Sequence, residues 1–293
     1  PLPFILDFGK LIDVPARSVH LAFGLTLCFL VYPVLKSKKK KQISTIDFLF
    51  VVLVLITTLY LAIDYEGLVY RQGVLAKIQI GSLTIPYEII IGTIGILLLL
   101  EGTRRAIGIP LVVIAVIFLL FSIFGQVMPD LISHQGLSIK RLVGYHWFGG
   151  EAIFGIPISV SVSFIFLFVL FGAILDVAGG GKYFLNLAFA LVGKMRGGPA
   201  KAAILASGLT GLISGSSVAN TVTTGTFTIP IMKKTGFSKE KAGAIEVSSS
   251  VNGQIMPPVM GAAAFVMASF IGVTYFEVVK HAFLPAIISY IAL

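Results

Sequence analysis

The sequence is poor in cysteine, histidine, tryptophan and charge. Cys28 is its one cysteine, which excludes an intrachain disulfide and a cysteine-built metal site. Its four histidines, His20, His134, His146 and His281, are scattered without metal-ligand spacing. Charged residues make up 12% of the chain, against about 25% in ordinary soluble domains. No cofactor motif and no pair of catalytic carboxylates stands out, so no enzyme and no cofactor is expected. What is abundant is apolar side chain. Hydrophobic residues make up 57% of the sequence, in runs long enough to cross about 30 Å of hydrocarbon. The runs are continuous rather than alternating, so helices must satisfy the backbone in lipid. The expected fold class is an all-α polytopic membrane protein. The formal charge of +9 sits in clusters between apolar runs, as cytoplasmic loops carry it, so the partner it implies is the bilayer and not nucleic acid.

Lys36, Lys38, Lys39, Lys40 and Lys41 form the densest basic cluster and are read as a cytoplasmic loop. Spans are expected at Ser18–Leu35, Asp47–Ile63, Tyr87–Leu100, Ala106–Gly125 and Gly155–Val177. That assignment puts Arg104, Arg105, Lys182, Lys194, Arg196 and Lys201 inside, and Asp64–Pro86 and Gln126–Ala152 outside. External Lys77, Lys140 and Arg141 run against the pattern. The chain starts Pro-Leu-Pro without Met and stops within the apolar run Ala282–Leu293. It is therefore expected to be a fragment, with a first helix missing.

Gly179-Gly180-Gly181-Lys182 is not a phosphate loop, because Asp176 and Tyr183 occupy the places that need Gly and Ser or Thr. It is read as a helix stop after Asp176. Tyr183–Met195 then reads as an amphipathic helix along the cytoplasmic interface. Gly197-Gly198-Pro199 starts a new helix. From Ala202 to Met232 there is no charge. Ala202–Ile213 predicts a half-helix of about 18 Å, halted at Ser214-Gly215-Ser216-Ser217. A second helix, capped by Ser216 or Ser217, is expected from Val218 to near Pro230. Basic residues flank both ends, so residues 199–232 read as a re-entrant hairpin; the alternative is one long span. Ala242–Val251 is helical in character, Asn252–Pro258 interrupts it with two adjacent prolines, and Gly261–Gly272 resumes. Residues 242–272 thus read as one discontinuous span. Glu277 and Lys280 are expected outside, with a last span from near Ala282.

Two helix breaks at bilayer depth offer hard oxygen ligands for a small cation and helix N-termini for an anion, without a costly buried charge. The candidate ion and substrate residues are Ser214, Gly215, Ser216, Ser217, Asn220 and Thr221, with Gly253, Gln254, Ile255, Met256, Pro257 and Pro258 facing them. Na⁺ is assigned to Ser214, Ser217 and Asn220. Small polar residues also serve close helix packing. Thr223, Thr224, Thr226 and Thr228 are read as packing, with Thr223 and Thr224 the exceptions. Glu246 has two readings: an interfacial partner for Lys239 or Lys241, or a proton or coupling-ion relay. A distant alternative is an intramembrane serine enzyme. Gly215-Ser216-Ser217-Val218-Ala219 approaches Gly-x-Ser-x-Gly but ends in Ala, and its only downstream histidine is His281.

Three motifs in order, Leu209-Thr-Gly-Leu-Ile-Ser-Gly-Ser-Ser-Val-Ala-Asn220, Ile229-Pro-Ile-Met-Lys-Lys-Thr-Gly-Phe237 and Asn252-Gly-Gln-Ile-Met-Pro-Pro-Val-Met-Gly261, resemble the large membrane subunit of tripartite ATP-independent periplasmic (TRAP) transporters. The resemblance runs from about Arg104 to Leu293. Ala16-Arg17-Ser18-Val19-His20-Leu21 and Glu101-Gly-Thr-Arg-Arg-Ala-Ile-Gly108 resemble the form in which a small four-helix subunit is fused ahead of it. The implied domains are residues 1–103, small-subunit-like, and 104–293, the N-terminal half of the large permease. The resemblance implies half of an elevator-type ion transporter. It implies secondary uptake of an organic acid, coupled to Na⁺ or H⁺ and fed by a periplasmic solute-binding protein of the TAXI type. The implied location is a bacterial or archaeal cytoplasmic membrane. Many members carry Asp where Asn220 stands. A standalone Na⁺-coupled dicarboxylate carrier is the alternative within the transport class.

Overall fold

The computed structural model describes residues 13–34, 44–71, 74–80 and 83–293. The expected cytoplasmic loop Lys36–Lys41 lies outside the described residues. Two compact units divide between Val162 and Ser163.

In the first unit, helices α1 (Val14–Val31), α2 (Thr45–Tyr70) and α3 (Tyr87–Ala106) pack together, with an antiparallel pair β1 (Ile78–Ile80) and β2 (Leu83–Ile85) between the last two in sequence. This strand pair is an addition to the expected all-helical fold. After α3 come α4 (Ile109–Ile123), α5 (Ile139–Val143) with a π-helical turn at Gly144–Phe148, and α6 (Ile156–Val160). Phe29, Val54, Leu61, Trp147 and Phe154 are buried at its core. Helix α2 continues past Ile63, where an apolar scan stops at the first charge. The extra turns carry Asp64 to a polar cluster in which Arg71 and the Tyr60 hydroxyl donate to buried Glu88 at 2.5 and 2.6 Å. Arg105, 3% exposed, donates to Asp47 at 2.6 Å and to Glu101 at 2.7 Å, with its guanidinium 4.7 Å from the Phe29 ring.

The second unit opens with α7 (Phe166–Val177). Ile156–Leu175, Val14–Val31 and Thr45–Tyr70 are the three described helices long and apolar enough to cross a membrane. Gly179, at φ 90°, turns the chain into α8 (Gly180–Val192), three residues earlier than the expected Tyr183. Helices α9 (Gly198–Ser214) and α10 (Ser217–Lys234) then form a helical hairpin. Both are longer than expected. Pro199 lies in the first turn of α9, where its missing N–H costs nothing, and Ser214 stays helical, giving 17 residues and about 25 Å. Helix α10 runs through Pro230 to Lys234, because a proline removes one backbone bond without ending a helix that is packed on both sides of it.

Ser238 caps α11 (Lys239–Asn252), accepting from Lys241 N. In that first turn the Glu240 carboxyl is held below its ordinary range by a backbone N–H and by the Ser238 hydroxyl. A 3₁₀ turn, Gly253–Ile255, and an irregular stretch lead to α12 (Ala262–Ile271), then α13 (Tyr275–Ala292). Helix α13 begins seven residues before the expected Ala282. Glu277 sits in its first turn, where a carboxylate meets the positive end of the helix dipole, so Glu277 and Lys280 are helical rather than in a loop.

Candidate functional site

Three helix faces build the site. On α9, Ser207, Thr210, Gly211 and Ser214 recur at three- and four-residue spacing; on α10, Asn220, Thr224 and Thr228 recur every four. On α11 the matching stripe is Glu246, Ser249 and Ser250, continued by Gly253 just past its end. These stripes face one another because α9, α10 and α11 pack pairwise. Ser207, Asn220, Thr224, Thr228, Glu246, Ser249 and Ser250 are all buried.

Backbone contact at the hairpin requires glycine. A Cβ on Gly211 would lie 2.6 Å from Gly253 Cα, so the first hairpin arm and the broken helix touch main chain to main chain. Gly215 ends α9 at φ 56°, and a Cβ there would lie 2.0 Å from the Met260 carbonyl oxygen. Met260 itself has φ 55°, a costly conformation for a side-chain-bearing residue. The tip is thereby locked onto the stretch that joins α11 to α12. Gln254 Nε2 donates to Ser217 Oγ at 2.6 Å across the same junction. Tyr275, stacked on Phe265, donates its hydroxyl to Val259 O at 2.5 Å, and Tyr290 donates to Ser249 O at 2.9 Å.

The oxygens at the tip divide into used and unused. Ser216 Oγ accepts from Ala219 N and caps α10, and the Thr221 hydroxyl donates to Ser217 O at 2.8 Å. Asn220 Nδ2 donates to Ser207 O at 2.9 Å and to Ser207 Oγ at 3.0 Å. Asn220 Oδ1, Ser214 Oγ and Thr210 Oγ1 are buried without a hydrogen-bond partner. Such groups are rare in folded proteins, because each costs about 1–3 kcal/mol. Beside Thr210 and Ser214 lies a cavity of about 380 Å³ between α7 and the hairpin, lined also by Ser216 and Thr223. A second cavity of about 970 Å³ meets the tip at Gly215, Ser216, Gln254 and Ile255, with Glu277 and His281 on its far wall.

The candidates from sequence thus fall into groups. Ser214, Gly215, Ser216, Ser217, Asn220 and Thr221 lie at or just beyond the tip, with Gly253 and Gln254 against them. Ile255 faces the larger cavity, whereas Met256 lines a different one with Tyr290. Pro257 is buried and Pro258 exposed, with a cis bond between them. Glu246 is no interfacial partner of Lys239 or Lys241: it is fully buried and accepts hydrogen bonds from the Thr224 and Thr228 hydroxyls. Sequence reasoning passed over Ser207 and Thr210, and read Thr228, which is buried against Glu246, as packing alone. Their spacing from Ser214 and Asn220 on one helix face was the available signal. Met260, Tyr275 and Tyr290 left no such trace. Among the described residues no cluster of His, Cys, Asp and Glu suited to a metal ion occurs.

Apolar helices of membrane-crossing length, with a polar helical hairpin set against a broken helix, define the class as a helical membrane protein. The chain belongs to the family described as tripartite ATP-independent periplasmic transporter, DctM component, which matches residues 94–293. It is 32% identical over 208 residues to the uncharacterized protein YgiK of Salmonella typhimurium, covering 71% of this chain and 43% of that one. It is 32% identical over 116 residues to a putative TRAP transporter large permease protein of Haemophilus influenzae, covering 40% and 27%. A third relative is the C4-dicarboxylate TRAP transporter large permease protein DctM of Rhodobacter capsulatus, 35% identical over 91 residues, or 31% and 21%. The chain thus spans less than half the length of each of these relatives. The second and third of these relatives are named as large permease proteins. No solved structure matches. The family match begins within α3, and the compact units divide at Val162.

Proposed function

We propose that this chain provides the hairpin-bearing part of a secondary transporter for an organic acid in the bacterial inner membrane. In this reading Na⁺ is the coupling ion, and a periplasmic solute-binding protein delivers the cargo. The relatives named above are bacterial, and nothing among them supports the archaeal alternative. The fused small-and-large form, the TAXI type of binding protein, the re-entrant course of the hairpin and an elevator movement belong to the same proposal.

The observation that carries it is the set of unpartnered buried oxygens on Asn220, Ser214 and Thr210. An amide or hydroxyl oxygen is a hard donor suited to a small cation. A bound Na⁺ would give Asn220 Oδ1 and Ser214 Oγ the partner that the protein does not. Ser217 Oγ, which already accepts from Gln254, retains a second lone pair for the same purpose. The carboxylate of the cargo would meet the N-terminal ends of α10 and α12, which open toward the larger cavity at Ser216 and Ala262.

Asn220→Ala in the complete transporter should weaken binding of ²²Na⁺ roughly tenfold or more, the worth of one hydrogen bond or ligand contact to a charged group. Its abundance in the membrane should stay near that of the wild type. Unchanged ²²Na⁺ affinity would remove the cation assignment.

A further inference from the structure

We infer that Glu246 is a proton-carrying site, and that a hydroxyl chain links it to the cation site at Asn220, so that Na⁺ binding expels its proton. This rests on the reading of the hairpin as a cation site. Glu246 is fully buried midway along the face that α11 turns to α10, and Gly225 makes room for it: a Cβ there would lie 3.1 Å from Glu246 Cγ. Among the described residues no ion pair includes Glu246. The basic residues of the elements packed around it, Lys201 on α9, Lys233 and Lys234 on α10, Lys239 and Lys241 on its own helix, and Lys280 and His281 on α13, are exposed. So are Glu240 and Glu277, and the Tyr290 hydroxyl is committed to Ser249 O. A carboxylate in such a place has no cation to offset its lost hydration, and intramembrane carboxyls of this kind mark proton paths.

The surrounding hydroxyls suit both protonation states. Each has one hydrogen and two acceptors in reach. Thr224 reaches Glu246 Oε1 and Asn220 O, Thr228 reaches Glu246 Oε2 and Thr224 O, and Ser250 reaches Glu246 Oε1 and Ser207 Oγ. With the carboxyl protonated, the threonine hydroxyls turn to the main-chain carbonyls and one accepts the carboxyl proton. With it ionised, all three hydroxyls turn to it. No group is stranded either way. A purely structural carboxyl needs no such duplicate set of acceptors.

The same hydroxyls connect the two sites. Asn220 Nδ2 donates to Ser207 Oγ at 3.0 Å, Ser207 Oγ lies 3.3 Å from Ser250 Oγ, and Ser250 donates to Glu246 Oε1 at 3.4 Å. Donors therefore line up from the Asn220 amide to the carboxylate. A cation on Asn220 Oδ1 draws electron density from the amide and makes Nδ2–H a stronger donor, which favours the ionised carboxylate at the far end. The exchange balances: the Glu246 O–H bond breaks, the proton leaves to bulk water, and Na⁺ enters with the same charge. Reciprocity requires that protonation of Glu246 weaken Na⁺ binding by the same factor.

The test uses the complete, purified transporter in weakly buffered detergent solution with a pH-indicating dye. NaCl is added, with choline chloride as the control, and ²²Na⁺ binding is measured in parallel. Wild type should release protons as Na⁺ binds, up to one per Na⁺-linked Glu246 at saturation. Glu246→Gln, close in size to the native side chain, should bind ²²Na⁺ and release none. Ser250→Ala, which keeps both ends and cuts the chain, should bind Na⁺ and release less than wild type; it serves also if E246Q does not fold. Full release from either variant overturns the inference, as does Na⁺ binding by wild type without proton release. Absence of ²²Na⁺ binding by wild type would instead remove the cation site itself, and this inference with it.

Discussion

Gly215→Ala should abolish Na⁺ binding by the complete transporter, whereas Gly236→Ala should leave it intact. Both glycines have positive φ, 56° and 97°, so alanine at either pays the left-handed penalty of about 1 kcal/mol. Only Gly215 has a neighbour. The new methyl would lie 2.0 Å from the Met260 carbonyl oxygen, while around Gly236 nothing lies within 4 Å. Main chain cannot swing aside as a flexible side chain does, so the tip must part from the Val259–Met260 stretch. That separation also breaks the Gln254–Ser217 bond and moves Gly211 and Asn220 away from Gly253. The expected result is loss of ²²Na⁺ binding greater than tenfold for G215A, with G236A within about twofold of wild type, a difference of at least about 1 kcal/mol. Equal binding by the two variants would mean that the tip does not depend on its seat against Met260.

The elements and their breaks were legible in the sequence because hydropathy, glycine and proline act locally. The runs of apolar residues set the helices, Ser214-Gly215-Ser216-Ser217 set the hairpin turn, and Asn252–Pro258 set the second interruption. Ends were less legible. Pro230 and the charges of α13 lie within helices because packing outweighs a local stop signal, and an apolar scan registers charges rather than backbone. The site was half legible. Small polar residues beside a helix break announced Ser214, Ser217 and Asn220. Glu246 was ambiguous, since one turn from a basic cluster a carboxylate reads equally as a surface partner. Which way it faces depends on Gly225 of another helix, and sequence order does not reveal that pairing. Met260, Tyr275 and Tyr290 hold the broken helix through backbone carbonyls, contacts that depend on tertiary position and leave no spacing to find.

Arg105→Ala should destabilise the transporter by about 3–5 kcal/mol, the cost of leaving one member of a buried ion pair without the other. Asp47 is fully buried and Arg105 is 3% exposed. Remove the guanidinium, and Asp47 keeps only the Val34 N–H, at 3.2 Å, from outside its own helix. The change also uncovers the rings of Phe29 and Phe50, which flank the guanidinium at 4.7 and 5.0 Å. Lysine is a poor substitute, because Arg105 Nη1 donates to Asp47 and to Tyr32 O while Nε donates to Glu101. Its neighbour Arg104 is the internal control: 46% exposed and paired with the same Glu101, it should cost far less than Arg105 when changed to alanine, because solvent screens an exposed pair. The decisive variant is the double change Arg105→Ala with Asp47→Ala. Removing both charges leaves no uncompensated ion, so the double variant should be more stable than R105A alone, even though it lacks one more side chain. Equilibrium unfolding of the four proteins in one detergent gives the cycle. If the double variant is less stable than R105A by the full cost of D47A, the two residues do not act as a pair, and the tie between α2 and α3 must lie in their apolar contacts instead.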